Sequence, residues 1–266
     1  MRASSFLLLV LASGCRPVQQ APPDLDQLLR NLWAWYETGS DEGIAATARN
    51  LHAAVDGDAL EGTMDGALED LGEADAAIVG RTDTDIAQAQ GLFLVRTFPC
   101  TLDALEPILY ALDQAALYPG SYDAYERAYT SSLADYQARE VPFLSWHVDY
   151  AATVLFTSYE AQVEGGLRWV ADPGEEMSPW GPLLLARSWM PAAATFEEGT
   201  DKALVQDYQI ELFYERTPGE ILHAYGMWRQ ADFGALGTTE DESVQVTILN
   251  ALSDWDDDTA ALCAEP

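Results

Sequence analysis

Hydrophobic positions change period twice along this chain. From 24 to about 90, Leu25, Leu28, Leu29, Leu32 and Tyr36 recur at spacings of three and four, which is one face of a helix. The glycine-punctuated stretch "DGDALEGTMDGALEDLGEAD" continues this region and is read as further short helices. At 92 the run "LFLVRTF" predicts a short buried strand. Two helical patterns follow it. In the first, Leu102, Leu105, Leu109 and Leu112 share a face, with Pro107 in its first turn or at a kink. In the second, Ser121 is the expected N-cap, and Tyr122, Tyr125, Tyr129, Leu133 and Tyr136 form a stripe at helical spacing. Such a stripe is read as core, with its hydroxyls reaching the rim.

Between about 147 and 230 the period shortens to two, which predicts antiparallel strands. Pro218-Gly219 has type II turn chemistry, so "ALVQDYQIELFYER" and "ILHAYGMWRQ" read as a hairpin. If Thr217 and Glu220 close the turn, Tyr214 opposes His223, Leu212 opposes Tyr225, Ile210 opposes Met227 and Tyr208 opposes Arg229. That register puts all eight on one largely apolar face; a slip of one residue would mix the faces. A last helix is expected from the acidic stretch "TTEDES" through Val244, Ile248, Leu252 and Trp255.

The amino terminus carries a different signal. Arg2 precedes an apolar run from Phe6 to Ala12, then Ser13-Gly14 and Cys15. The run is well short of the roughly 20 residues that span a bilayer, and it has the anatomy of a secretory leader. Small residues directly before a cysteine resemble the lipobox of bacterial lipoproteins, although Ala12 stands where that family prefers a bulky aliphatic residue. The resemblance implies cleavage after residue 14 and acylation of Cys15. "RPVQQAPP" would then be an extended tether to the folded body. Arg16 in place of aspartate implies the outer membrane under the sorting rule of enteric bacteria.

A net charge of −31 argues against nucleic acid, which needs a positive face, and against adsorption to anionic headgroups. The acyl anchor is therefore the expected attachment to the bilayer. With 48% hydrophobic residues, most of the chain is expected to be ordered. Once Cys15 is set aside, Cys100 and Cys263 remain, and an even pair in an exported protein predicts a disulfide.

Strand, two helices, antiparallel strands and a closing helix, over roughly 92 to 255, resemble in their order the START-like helix-grip superfamily. That resemblance implies an α+β fold in which a curved antiparallel sheet packs against helices, including a C-terminal one, around an apolar cavity for lipids or other hydrophobic ligands. The expected divisions are a leader at 1–14, the lipidated cysteine and tether at 15–23, a helical region at 24–91 and the helix-grip-like body at 92–266.

The favoured function is an exported, lipid-anchored protein that binds a hydrophobic or amphipathic ligand between sheet and helices. Its candidate ligand-binding residues are Tyr208, Ile210, Leu212, Tyr214, His223, Tyr225, Met227 and Arg229. Polar groups such as His223 and Arg229 would hold a headgroup or carboxylate. The alternative is a scaffold lipoprotein that binds a partner protein and has no cavity. An enzyme built on His147, with Asp149 on the same strand face, or on His223 ranks third, because no nucleophile elbow accompanies either histidine. Phosphate-loop and dinucleotide glycine patterns are absent, and no cofactor is expected. Asp254, Asp256, Asp258 and Glu265 have the spacing of a calcium loop. The sixth position is Thr259 instead of glycine, however, and acids on a terminal helical turn are the preferred reading. The proline-rich loop 172–182, with Met177 and Trp180, is either a cover for the cavity or an ordinary connection.

Overall fold

The computed structural model describes residues 18–154, 157–171, 174 and 178–264. The leader, Cys15, Met177 and Glu265 lie outside the described residues. The fold is α+β, with N-terminal helices, a nine-stranded antiparallel open sheet and a long C-terminal helix. The strands are β1 (Thr63–Leu68), β2 (Gln90–Pro99), β3 (Ala124–Tyr129), β4 (Phe143–Val154), β5 (Thr157–Val170), β6 (Leu183–Trp189), β7 (Thr195–Phe196), β8 (Ala203–Thr217) and β9 (Glu220–Asp232). Their spatial order is β1-β2-β9-β8-β6-β5-β4-β3, with β7 beside β5.

Two helices, α1 (Pro23–Trp35) and α2 (Asp41–Ala54), cover one face of this sheet. The apolar stripe of α1 does what its spacing predicts: Leu25, Leu29, Leu32 and Trp33 are fully buried. The Trp33 ring meets Tyr208 at 5.7 Å and Trp228 at 6.5 Å, both edge-on. Arg168 ends the helix, its guanidinium donating to the Tyr36 carbonyl at 2.8 Å and the Gly39 carbonyl at 2.7 Å. Ser40 then caps α2 by accepting from the Gly43 amide at 3.1 Å.

Several sequence expectations give way here. The stretch after α2 forms a 3-10 turn, strand β1 and the short helix α3 (Glu73–Ala77) instead of further amphipathic helices. β1 pairs along its whole length with β2, so the sheet runs without a break across the expected boundary at 91/92. The end of the tether is also docked: the Ala21 amide donates to the Ala67 carbonyl at 2.7 Å, and Ala21 is buried. Helix α4 (Leu102–Tyr110) contains Pro107, and Leu112 lies beyond its end, exposed.

After the short helix α5 (Gln114–Leu117), the tyrosine stripe is not helical. Tyr125, Arg127 and Tyr129 alternate inward from edge strand β3, and the real cap is Ser132, which accepts from the Asp135 amide to start α6 (Leu133–Gln137). Tyrosines four apart satisfy a two-residue period as well as a helical one, and that ambiguity produced the helical reading.

The C-terminal helix α7 (Glu242–Cys263) lies on the other face of the sheet, against β2. Of its 22 residues only Val244, Leu249, Asp256 and Thr259 are buried, and two of those are polar. Polar contacts therefore supplement an apolar seat formed by Ile248, Leu249, Leu252 and Trp255. Arg96 donates to the Ser253 carbonyl and to Asp257, each at 2.6 Å, and the Tyr118 hydroxyl meets that of Thr259 at 2.9 Å. The Cys100–Cys263 disulfide, with Cα atoms 5.4 Å apart, ties down its last turn.

Candidate functional site

Everything in the site follows from the register of the β8–β9 hairpin. Gly219 adopts φ +83°, as the turn requires, and Thr217 opposes Glu220 as expected. Arg216 is then bulged out of the ladder, donating to the Gly57 carbonyl at 2.8 Å and to Glu220 at 3.0 Å. Beyond the bulge the pairing slips by one: Phe213 opposes His223, Tyr214 opposes Leu222 and Leu212 opposes Ala224.

The slip divides the expected ligand-binding set between two faces. Tyr208, Ile210, Leu212 and Tyr214 lie on the face under α1 and α2, buried in the largest core cluster. His223, Tyr225, Met227 and Arg229 lie on the face of α7. Their neighbours from β8 are Asp207, Gln209, Glu211 and Phe213.

On this second face, a cavity of about 370 Å³ lies between the sheet, the segment around α5 and helix α7, which lines it with Leu252 and Trp255. A polar hub forms one wall. Arg229 donates from Nε and Nη2 to the two Asp207 oxygens at 3.1 and 2.8 Å. Gln209 donates to Asp207 at 2.6 Å and accepts from Ser188 at 3.3 Å. Next to it, His223 stands between two carboxylates: Nδ1 lies 2.8 Å from Asp256 and Nε2 lies 3.2 Å from Glu211. The Phe213 ring stacks on the imidazole at 4.3 Å.

Burial of His223 opposes its charge, but the Asp256 and Glu211 carboxylates outweigh burial and push it up to about 9. The imidazolium then donates from both nitrogens, which is the state that two flanking acceptors favour. Arg96 Nε lies 3.7 Å from the other Asp256 oxygen. Asp207 is paired with Arg229, and Glu211 and Asp256 with His223, while Arg96 is shared between Asp256 and its nearer partner Asp257, so four acids face three bases.

Tyrosines form the opposite wall. Tyr125, Tyr122, Tyr150 and Tyr159 follow one another at centroid distances of 4.8, 5.7 and 5.8 Å. Burial pushes Tyr122 up to about 12 and raises Tyr150 and Tyr225 as well, so these remain neutral phenols able to donate. Arg127 projects from β3 into the same space, its guanidinium 4.3 Å from the Trp146 ring centroid.

The other candidates lie elsewhere. His147 does meet Asp149, at 3.1 Å, and also Glu164 at 2.9 Å, on a part-exposed stretch of β4 outside the cavity lining. Asp254, Asp256 and Asp258 cannot converge on one cation, because α7 points the first and third to solvent and buries the second. Among the described residues no group of three acidic, histidine or cysteine side chains could hold a metal ion, and no helix is long and apolar enough to cross a membrane. Trp180 packs on His52 and Tyr214, with centroids 4.6 Å away in each case, on the α2 side of the sheet and away from the cavity. A second cleft of about 380 Å³ lies near the β8–β9 turn, but its polar residues are committed to the fold: Glu215 accepts from the Leu102 amide and Arg216 holds Glu220.

Asp207, Gln209, Glu211, Arg127 and the tyrosine wall were not among the expected site residues. For the β8 trio the signal was present, since a row of alternating polar residues inside an otherwise apolar central strand marks a hollow or wet face. Arg127 and its tyrosines were hidden by the helical reading of β3.

No protein-family model and no curated protein matches this chain. Among solved structures, the human StarD13 lipid transfer and protein localization domain is similar at 9% identity and a TM-score of 0.42, covering 77% of this chain and 86% of its own. Human STARD10 is similar at 8% identity and 0.44, covering 77% and 70%. A START superfamily protein from Mycobacterium smegmatis is similar at 8% identity and 0.39, covering 65% and 94%. At these values the likenesses carry no inference about what this chain binds.

Proposed function

We propose that the chain is an exported, lipid-anchored binding protein that holds a small amphipathic ligand between its sheet and α7. The observation that carries this reading is the unequal use of the two sheet faces. One is covered by a continuous cluster of buried apolar side chains, whereas the other borders a cavity of about 370 Å³ between an ion-paired hub and an aromatic wall. A hub with tyrosine hydroxyls and an aromatic wall together suit a ligand with one polar end and one apolar end. The Cys100–Cys263 bond supports an oxidising compartment, and the small residues before Cys15 support acylation there, most simply on an outer membrane.

Native mass spectrometry of the full chain purified from a bacterial envelope tests both halves. The expected spectrum carries an acyl mass that Cys15→Ser removes, and a second mass that leaves on organic extraction. A protein that stays free of any second mass after incubation with a lipid and metabolite extract would overturn the binding reading in favour of a scaffold.

A further inference from the structure

Arg127 differs from eight other arginines of this acidic chain. With 44 acidic residues against 13 lysines and arginines, a carboxylate is within easy reach of almost any cation. Eight described arginines, from Arg30 to Arg229, each meet one. Arg127 meets none among the described residues. Its Nε donates to the Tyr125 hydroxyl at 2.9 Å and its Nη1 to the Leu109 carbonyl at 2.7 Å, which leaves Nη2 with no partner among the described residues. The guanidinium is fixed in place, its carbon 4.3 Å from the Trp146 ring centroid and 5.6 Å from that of Tyr125, and it lines the cavity.

A held cation that lines a cavity without a counter-ion is a receptor for an anion. The hub cannot play this part, because Asp207, Glu211, Asp256 and Asp257 already outnumber Arg229, His223 and Arg96, and a further negative charge placed against it would be repelled. The size of the space then narrows the anion. At about 370 Å³ the cavity lies near the lower end of the roughly 300–1,000 Å³ of small-molecule pockets. That is room for one ring system or one short chain, and too little for the two long chains of a membrane phospholipid.

We propose that Arg127 is the anion receptor of the cavity and that the ligand is a compact organic monocarboxylate, its apolar body lying along the tyrosine wall. This rests on the ligand-binding reading above and goes further by naming the charge, the size and the residue that selects them.

Calorimetric titration of the full chain with 2-naphthoic acid and dodecanoic acid, each beside its methyl ester, separates the two claims. The acids should bind at least tenfold more tightly than their esters. Arg127→Gln should bring each acid down to the affinity of its ester while leaving the ester unchanged, and Arg127→Lys should retain part of the preference. Esters that bind as well as acids, or an Arg127→Gln protein that keeps the acid preference, would overturn the assignment of Arg127 and leave the cavity reading standing. If no acid or ester binds, both readings fall. Uptake of dioleoylphosphatidylcholine from vesicles at one molecule per chain would overturn the size limit and with it the proposed class. The acid–ester comparison on the unaltered chain holds even if a variant does not fold.

Discussion

The two faces of the one sheet are built by opposite rules. Under α1 and α2, alternate residues of β8 and β9 are Tyr208, Ile210, Leu212 and Tyr214 beside Leu222, Ala224, Gly226 and Trp228, and apolar helix side chains pack on them. Beneath α7 the same two strands present Asp207, Gln209 and Glu211 beside His223, Tyr225 and Arg229, and the space is left open. A buried charge requires a partner at a fixed distance, so polar side chains hold their places by pairing with each other instead of interlocking with a facing helix. The helices match their faces. Five of the 13 residues of α1 are buried, against four of the 22 in α7. The first face supplies stability, and the second gives part of it up for a site.

If that contrast is right, truncation should cost far more on the filled side. Trp33→Ala should lower stability by about 3–5 kcal/mol in urea denaturation. Leu252→Ala, at a helix position that already borders the cavity, should cost about 1 kcal/mol. Equal losses would mean that both faces are packed alike. Because few residues of α7 are buried, the disulfide should matter to it more than to the rest of the molecule. Cys263→Ser should cost about 2–5 kcal/mol. Amide exchange should then rise first over the last turns of α7, with α1 and α2 protected; uniform exposure would show that the helix does not depend on its bond.

How legible these faces were in the sequence depended on the kind of signal. The stripe of α1, the buried strand at β2, the period of two from β4 to β9 and the closing helix all follow from local spacing. Cys100 and Cys263 also paired as their number suggested. What failed was non-local. The bulge at Arg216 is a tertiary matter, because the residue leaves the ladder to reach Gly57 at the end of α2, and no property of the hairpin itself announces that contact. One slipped residue then divided the expected set between the two sides of the sheet. In β3, Tyr125 and Tyr129 fit two periods at once, and only pairing with β4 decides between them. Arg127 could not be recognised from sequence, since its distinction is that no carboxylate among the described residues pairs with it.

The hidden face should also respond to pH. His223 is pushed up to about 9 in the fold, above its ordinary value near 6.5, so the imidazolium stabilises the native state. That contribution is fully present below about pH 6.5 and is lost as pH rises through about 9; over this window it is on the order of 3 kcal/mol. Stability measured between pH 6 and 10 should therefore fall, and His223→Gln should flatten most of the decline. A variant with an unchanged slope would show that the Glu211–His223–Asp256 arrangement is not charged in the native protein.

His147 sharpens the comparison because it has the same neighbours in a different setting. It too stands between two carboxylates, Glu164 and Asp149, and its proton affinity is raised, chiefly by the hydrogen bond to Glu164. Sign and window are those of His223: the contribution is present below about pH 6.5 and lost as pH rises through the raised value. The size differs because water and salt reach this site, where the imidazole is 28% exposed and Asp149 57%. His147→Gln should change stability by no more than about 1 kcal/mol, and even that difference should shrink in 0.5 M salt, as exposed pairs do. The effect of His223→Gln should persist in the same salt, because both of its carboxylate partners are largely shielded from solvent. A loss at His147 as large and as salt-resistant as the one at His223 would mean that burial is not what separates the two, and the hub would then have no special claim to hold its charge away from water.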